Sequence, residues 1–381
     1  MFQFIKEGKE FKIIQKRKIF LVFSTLLVLA SIIALFVFGL NFGIDFAGGT
    51  EMQIKVDRSK NASVSQIRDS LKELNLQGSS IQQFGTADSG EFLIRIESSV
   101  EKIDKIEAII TEKMETNLEN FVSFKFRGGD TGYATFKDKV AIADIENAVK
   151  GANLGDEYVI DQVSLFGKET KNEYLVKFKG VPTKIHDTLL NKFGEGSVEV
   201  ERVEMVGPKV GKELRQKGVY AVLVALFLIL LYIAFRFDIA FAPGAVIALA
   251  HDVMITMGIF AVFQLDFSLQ ILAALLAIVG YSLNDTIVVY DRIRDNVKKF
   301  KGKELAQTIN TSINQTLNRT ILTSVTTLLV TVALLFLGGR ILRDFALALT
   351  IGVLVGTYSS IYIASPIVLF VDGIRKKAKN Q

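Results

Sequence analysis

The chain has 381 residues, half of them hydrophobic, a mean hydropathy of +0.35, a net charge of +5 and a pI near 9.0. The apolar residues form blocks of about 20, the length that crosses a bilayer, which excludes an ordinary soluble enzyme. The basic residues flank these blocks instead of forming one stripe, which argues against a nucleic-acid partner. The chain has no cysteine, which excludes disulfides, thiol catalysis and cysteine metal sites.

The apolar blocks predict six transmembrane helices. The first, at 19–40, follows a basic leader (1–18) and exceeds the 7–15 residues of a signal peptide core, so we expect an uncleaved anchor. A polar stretch at 41–212 predicts a large domain outside the membrane. The remaining five blocks fall within 213–371, at 214–235, 239–263, 268–290, 319–337 and 345–371, and a short tail occupies 372–381.

The distribution of lysine and arginine predicts the orientation. The leader, the connection between the fourth and fifth blocks and the tail are all basic, and six spans place all three on one side. Because short basic flanks stay in the cytoplasm, both termini are predicted to be cytoplasmic and the large domain to be extracytoplasmic.

The outer domain is predicted to be α+β. Strands are expected at 51–56 and 91–97, with helices at 64–74 and 100–114. After a turn-rich break at 127–130 the same rhythm returns, with a helix at 141–149, strands at 158–165 and 173–179, and a helix at 183–192. We interpret this as a duplication of a ferredoxin-like or βαβ unit, with subunits at 41–127 and 138–207. The alternative is an α+β domain whose alternation is unrelated to any repeat.

Two charged residues stand at membrane depth, where each costs about 2.5–3.5 kcal/mol or more. Asp285 lies late in the fourth block and Arg319 opens the fifth, so the two can face each other between helices. One interpretation is a static ion pair that locks the helices together. The other is a carboxylate that takes up and releases a proton beside an arginine that keeps its charge.

Other polar residues accompany this pair. His251 and Asp252 interrupt the third block; His251 is predicted to be a packed structural histidine, with a proton relay as the alternative, and Asp252 to join the polar core. A stripe of hydroxyls on the fifth helix serves either helix packing or a water-lined path; it comprises Thr316, Thr320, Thr323, Thr327 and Thr331.

The junction between the first span and the outer domain is rich in glycine. Gly43, Gly48 and Gly49 allow backbone angles closed to other residues, which suits a hinge or a tight junction. Asp45 is predicted to cap a turn there. The segment lacks the GxxxxGK[ST] pattern of a phosphate loop, and no nucleotide or metal motif is found in the chain.

These segments carry a family resemblance. Residues 42–50 (FGIDFAGGT) resemble the GIDFxGGT signature of the SecF branch of the SecD/SecF protein-export family. Residues 280–296 (GYSLNDTIVVYDRIRDN) resemble its fourth-helix signature GYSxNDTIVVxDRIREN, and residues 318–324 (NRTILTS) match its fifth-helix pattern NRTxxTS. With the six-span layout, the resemblance extends over nearly the whole chain.

The resemblance implies a non-enzymatic member of the RND superfamily in the bacterial inner membrane. It implies a heterodimer with SecD that acts at the Sec translocation channel on unfolded polypeptide, with small accessory membrane subunits and lipid as further partners, and that uses the proton motive force without any cofactor. The proton-conducting roles then fall on Asp285 and Arg319, supported by Tyr281, Asn284, Asp252 and Thr323. In one feature this chain differs from the pattern that the resemblance implies: its outer domain is longer than the expected single small domain.

Three other functions compete with this interpretation. An exporter of small molecules or lipids from the same superfamily predicts an apolar pocket in the outer domain, which instead looks polar. An assembly subunit predicts that the pair of Asp285 and Arg319 is only structural. An enzyme is least supported, because no convergent nucleophile, base or metal cluster is found and the chain has only two histidines. The driving ion is H⁺ or Na⁺.

Overall fold

The computed structural model describes residues 10–72, 74, 76, 79–84, 89–97, 100–128, 130–150, 154, 159–166, 172–237, 240–300 and 302–379. The start of the basic leader, Gly129 in the predicted break and the last two residues of the tail lie outside the described residues. The chain divides into two compact units: residues 1–41 with 218–381, and residues 42–217.

Within the described residues, six helices are long and apolar enough to cross a membrane, which confirms the predicted fold class. We call them spans 1 to 6: Ile14–Phe38, Pro208–Arg236, Ala242–Val262, Leu269–Lys299, Leu305–Leu337 and Leu342–Arg375. Span 5 begins at Leu305, well before the predicted 319. Its first turns are rich in threonine and asparagine, so they are helical without being apolar enough to show in the hydropathy pattern.

Burial differs between the spans. Spans 3 and 6 are the most buried within the chain, each with 56% of its most apolar window covered, whereas span 2 has only 11% covered. Spans 1 and 5 are also largely exposed, and large apolar side chains such as Phe36 and Leu337 are more than four-fifths exposed. Helices that are apolar on the outside bury that surface in lipid or against another membrane protein.

Span 6 contains a π-helical segment, Ser360–Ala364. This segment redirects backbone carbonyls: the Ser365 hydroxyl donates to the Ser360 carbonyl five residues earlier, and the buried Tyr290 hydroxyl of span 4 donates to the Ala364 carbonyl at 3.1 Å. Segments of this kind are rare and are frequent at functional sites.

The second compact unit, residues 42–217, has two successive βαββαβ series, and we call it the outer unit after its predicted location. The first runs β1 (Gly49–Val56), α1 (Val64–Lys72), β2 (Ser80–Phe84), β3 (Glu91–Glu97), α2 (Val100–Asn117) and β4 (Phe121–Gly128). The second runs β5 (Thr131–Phe136), α3 (Ile142–Lys150), β6 (Val159–Phe166), β7 (Glu173–Lys179), α4 (Val181–Phe193) and β8 (Val198–Val206). The predicted duplicated ferredoxin-like architecture is therefore present, with four strands (β2, β4, β5 and β8) that the sequence analysis did not assign.

Each of the two sheets is completed by the other series. One sheet has the order β2-β3-β1-β8 and the other the order β4-β5-β7-β6, and all the pairings are antiparallel. In each, three strands come from one series and the last strand from the other. The halves predicted at 41–127 and 138–207 are thus each distributed over both sheets.

Each of the two apolar cores likewise contains a helix from the other series. Helix α4 of the second series places Ile185 and Leu189 in the core of the first sheet, against residues such as Met52 and Ile54. Helix α2 of the first series places Ile110 and Met114 in the core of the second sheet. These six side chains are fully buried, so the exchanged helices are needed to close both cores.

The glycine junction is tightly packed. Gly48 has φ +77°, and a Cβ atom there would lie 2.5 Å from the Pro208 Cα atom. A Cβ atom on Gly211 would lie 3.0 Å from the Gly48 amide nitrogen. The chain entering the outer unit and the start of span 2 therefore approach to backbone contact, so the structure has the tight junction rather than an open hinge.

We expect Gly48→Ala to destabilise the outer unit by about 2–4 kcal/mol, because the methyl group meets both an unfavourable φ and the Pro208 backbone. Gly196→Ala is the matched control: Gly196 has φ +74° but no neighbour within 4 Å. The control is expected to cost about 1–2 kcal/mol from its backbone angle alone. Thermal unfolding of the full chain in detergent tests this difference, and equal losses would contradict the close packing.

Candidate functional site in the membrane spans

Asp285 of span 4 is buried and incompletely bonded. Its side chain is 3% exposed, and its Oδ2 atom has no hydrogen-bond partner among the residues that the structure describes. Thr323 and Arg319 of span 5 lie near this carboxylate, and Arg319 acts on it through its charge. Among the described residues, however, no contact of 4.0 Å or less joins the Arg319 nitrogens to Asp285. The static closed ion pair is not present in this conformation.

Two polar residues of this site face outward. Arg319 and Asn284 are both exposed on the surface of the chain, although they belong to spans 5 and 4. A charged side chain at membrane depth is costly when it faces lipid and is normally turned to protein or to water. The exposed Arg319 therefore indicates that protein or water, and not lipid, covers this side of the chain.

A second buried carboxylate lies on span 3. Asp252 is fully buried. Its Oδ2 atom accepts hydrogen bonds from the hydroxyls of Ser282 (2.5 Å) and Ser359 (2.8 Å), and its Oδ1 atom shares a 2.9 Å hydrogen bond with His251 Nδ1. Gly356 lines the site closely, since a Cβ atom there would lie 3.0 Å from the Ser282 Cβ atom. Asp252 thus joins spans 3, 4 and 6, as its predicted place in the polar core requires.

His251 has one bonded nitrogen and one free nitrogen. Its ring stacks on Tyr358 of span 6 with 6.1 Å between centroids, and the Tyr358 hydroxyl is bonded to Ser24 of span 1 at 2.8 Å. His251 Nε2 is buried and has no hydrogen-bond partner among the described residues. His251 is therefore packed and makes one hydrogen bond, as the structural interpretation expects, and only its second nitrogen lacks a partner among the described residues.

The predicted hydroxyl stripe of span 5 has mixed contacts. The hydroxyls of Thr316, Thr323, Thr327 and Thr331 donate to backbone carbonyls three or four residues earlier in their own helix, which favours the packing interpretation. Thr320 Oγ1 is the exception: it is buried and has no partner in the described part of the chain.

Span 5 is bonded to its neighbours through one serine. Ser324 accepts from the hydroxyl of Tyr281 on span 4 at 3.4 Å and shares a 2.7 Å hydrogen bond with Thr357 on span 6. Tyr281, predicted to support the core, therefore holds spans 4 and 5 together one turn from Asp285. Ser324 and Thr357 extend this link to span 6.

The glycine segment, residues 43–49, is distinguished by its backbone angles. Gly43 has an ordinary extended backbone with φ −64°, whereas Gly48 and Gly49 have φ +77° and +137°. Asp45 lies in the first turn of the short helix Ile44–Ala47, whose N-cap residue is Gly43. Across the described residues, no group of three or more His, Asp or Glu side chains is arranged to hold a metal ion.

Sequence reasoning missed Ser282, Ser359 and Tyr358. Ser282 stands in the quoted fourth-helix motif, one turn before Asp285, and this spacing was an available signal. The Tyr358-Ser359-Ser360 run was a weaker signal, because small polar residues are common in membrane helices.

Six candidate membrane spans, a unit of two ferredoxin-like sheets and buried carboxylates within the spans define a multi-pass integral membrane protein. Comparison with known families agrees. The model of the SecD/SecF C-terminal domain, described as a protein export membrane protein, matches residues 185–373, and the model of the SecD/SecF GG motif matches residues 33–60.

Curated relatives match over nearly the whole length. The protein translocase subunit SecF of Magnetococcus marinus is 41% identical over 376 residues, covering 98% of this chain and 96% of the relative. That of Vibrio alginolyticus is 37% identical, covering 99% and 94%. This chain belongs to the SecD/SecF family of protein export membrane proteins, which confirms the resemblance. Because both alignments include the outer domain, its length is shared with these relatives and does not set the chain apart.

A solved structure has the same fold. The crystal structure of SecDF from Thermus thermophilus, a translocon-associated membrane protein, aligns with a TM-score of 0.65 and 34% identity over 96% of this chain. This chain covers 39% of that longer chain. The curated SecDF of the same organism is 41% identical over 256 residues, which are 67% of this chain and 35% of the relative.

Proposed function

We propose that this chain is a SecF-type subunit of the protein translocase, which works with SecD and uses the proton motive force to assist polypeptide export. The observation that carries the proposal is the incompletely bonded carboxylate of Asp285, buried in span 4 beside the charge of Arg319. When its carboxyl group is protonated, Asp285 can donate a hydrogen bond. When the group is ionised, the charge of Arg319 attracts it.

In the proposed cycle, protonation of Asp285 removes its attraction to Arg319. The interface between spans 4 and 5, which includes the Tyr281–Ser324 hydrogen bond, then repacks. One elementary charge crossing 100 mV supplies about 2.3 kcal/mol. Typical coupling free energies between sites are about 1–3 kcal/mol, so the driving force is sufficient.

We propose that the outer domain receives this movement through a rigid connection. Gly48 packs against Pro208, the first residue of span 2, so the strand that begins at Gly49 and the helix that begins at Pro208 move together. A tight contact transmits a displacement of the helix to the strand more completely than a flexible linker does. The glycines then serve close packing, and bending occurs elsewhere.

SecD is the proposed partner for the exposed side of spans 4 and 5. Arg319 and Asn284 need a covering surface, and the relatives named SecDF are longer chains of which this one covers about two fifths or less. The Sec channel, small accessory subunits, lipid and the unfolded polypeptide complete the proposed environment in the bacterial inner membrane. Both termini are proposed to be cytoplasmic. The chain is proposed to be non-enzymatic and to need no cofactor.

The test is export into membrane vesicles that contain the translocase with SecD, with or without this chain. A signal-sequence-bearing polypeptide is supplied, and a proton or a sodium gradient is imposed separately. We expect this chain to add a component of export that a proton gradient drives and a protonophore abolishes. Export that is unaffected by either gradient overturns the proposal, and a response to sodium alone replaces the proton with Na⁺.

A further inference from the structure

We propose that a groove between the start of span 1 and the end of span 6 binds one molecule of an anionic phospholipid. The phosphate group lies at Arg17 of span 1, and one acyl chain follows the apolar walls into the membrane. This binding is independent of the proposed function, because it depends on a groove within this chain and on no step of export. The walls, the charge and the depth of the groove each favour this ligand.

The groove has a volume of about 340 Å³ and is mostly apolar. Span 1 contributes Arg17 and Leu21, and the last helix of span 6, Ser365–Lys379, contributes the rest of the lining. The lining residues of that helix are Pro366, Leu369, Phe370, Gly373 and Ile374. Sites for small ligands have volumes of roughly 300–1,000 Å³ and combine apolar walls with a few polar groups, so the groove has the size and composition of a binding site.

Spans 1 and 6 are packed together just before the groove begins. The rings of Phe20 and Tyr362 lie 3.9 Å apart between centroids, and Tyr362 belongs to the π-helical segment of span 6. Pro366, four residues later, lines the groove. Beyond it the apolar wall is uncovered, with Phe370 69% exposed and Ile374 52% exposed. Apolar side chains exposed within a membrane span are covered by lipid, so an acyl chain is the expected occupant of this part.

Arg17 supplies the positive charge of the lining. Its Nη1 atom donates to the Ile14 carbonyl at 3.1 Å, and no Asp or Glu oxygen lies within 4.0 Å of its nitrogens in the described part of the chain. A guanidinium has five N–H donors and binds phosphate oxygens in a bidentate way. Most of the donors of Arg17 are therefore available to an anionic ligand in the groove.

The charges around the groove distinguish an anionic phospholipid from a zwitterionic one. Lys16 and Lys18 flank Arg17 and are exposed, and Arg375 is the exposed last residue of span 6. Asp372 is the one acid in the sequence of the wall helix. Positive charge is therefore in excess at this end of the spans. It attracts a lipid of net negative charge and repels the ammonium group of a zwitterionic headgroup.

The depth of the groove distinguishes a phospholipid from a free anion. Arg17 is the fourth residue of span 1, so it lies about 4.5 Å from the start of that span. Leu21 lies about 6 Å further in, and the wall of span 6 extends from Ile374 inward to Pro366 over about 12 Å. The groove thus runs from the level of the headgroups toward the acyl chains, with its cation at the headgroup end. A phosphate ion alone leaves the apolar wall uncovered.

The experiment is a lipid titration of the full chain in detergent, followed by native mass spectrometry. Phosphatidylglycerol and phosphatidylethanolamine with identical acyl chains are added separately, and inorganic phosphate is added as a competitor. We expect one phosphatidylglycerol to bind about fivefold more tightly than phosphatidylethanolamine, the effect of one cation near an anionic lipid, without competition from phosphate. Equal binding of the two lipids overturns the proposal. Displacement by inorganic phosphate also overturns it, because the site then binds the ion alone.

Arg17→Gln is expected to lower the affinity for phosphatidylglycerol about tenfold, as the loss of a charge-assisted hydrogen bond does, and to remove the preference between the two lipids. Lys18→Gln is the matched control, since Lys18 is the next residue, is exposed and does not line the groove. It is expected to leave the affinity nearly unchanged. Arg17→Lys keeps the charge and is expected to keep the preference. Equal losses in Arg17→Gln and Lys18→Gln overturn the proposal, because diffuse surface charge then explains the binding.

Gly373→Phe tests the groove without changing a charge. A Cβ atom on Gly373 meets no atom within 4 Å, so the variant is expected to fold normally and to fill the groove. It is expected to lose the bound phosphatidylglycerol, and a variant that keeps this lipid overturns the proposal.

Removal of residues 2–9 tests the leader of this chain as the other occupant of the groove. An unchanged affinity for phosphatidylglycerol is expected. A large rise in affinity overturns the proposal, because the leader then occupies the groove in the full chain. All of these measurements are made without export, so failure of the proposed function in the vesicle assay is a separate result.

Discussion

Replacement of Asp285 by asparagine is expected to lower the gradient-driven component of export by roughly 5- to 150-fold, the range of typical coupling energies. Asparagine has nearly the same shape as aspartate, but it can neither carry the charge that attracts Arg319 nor take up a proton. Export that the channel supports without a gradient is expected to be unchanged. The measurement is the difference in export with and without an imposed proton gradient.

Asp295→Asn is the control for the loss of a carboxylate from the same helix. Asp295 is exposed near the end of span 4, beyond the apolar stretch, and it is expected to have no effect on the gradient-driven component. Both variants must first co-purify with SecD in equal amounts. If Asp285→Asn then responds to the gradient as the unchanged chain does, the chain is better explained as an assembly subunit.

Replacement of Arg319 by glutamine is expected to lower the same component by a similar factor, for a different reason. Without the guanidinium, the charge that opposes protonation of Asp285 is lost, so the carboxyl group keeps its proton and does not cycle. Because Arg319 is exposed, its removal leaves no cavity, and the helices are expected to stay assembled. Arg319→Lys preserves the charge and is expected to retain part of the response.

The double variant separates a coupled pair from two independent effects. If Asp285 and Arg319 act on one proton, Asp285→Asn with Arg319→Gln is expected to lose no more than either single variant does. Lys298→Gln, an exposed cation at the end of span 4, is the matched control for the loss of a positive charge. Losses that multiply in the double variant would contradict a shared role.

Much of the fold could be predicted because membrane spans are defined by length and apolarity, which a sequence displays directly. The outer strands at 91–97 and 173–179 were also assigned within their observed bounds. The missed strand β8 alternates visibly in VEVERVEMV, so the signal was present. Which strand pairs with which could not be predicted, since strands of similar alternation fit either sheet and only the assembled cores distinguish them.

The carboxylates of the site could also be predicted, because they are visible directly in the sequence. Asp285 and Asp252 are conspicuous because carboxylates are rare in apolar blocks, whereas the serines that bond Asp252 are not. Helical rise gives the depth of Arg319 but not the direction in which it faces. The sequence therefore predicted its proximity to Asp285 and could not predict that it lies exposed and out of contact with the carboxylate.

The exchange of helices and strands between the two series has a consequence for biosynthesis. Strand β1 occupies the middle of its sheet, yet one of its two neighbours, β8, lies about 140 residues later in the chain. At about 5–20 residues per second, β1 waits on the order of ten seconds for that neighbour to be made. The first series cannot close its own core in this interval, so the newly made domain passes through a stage with an open strand edge. Its maturation then depends on how quickly its last strand is made and reaches the open edge.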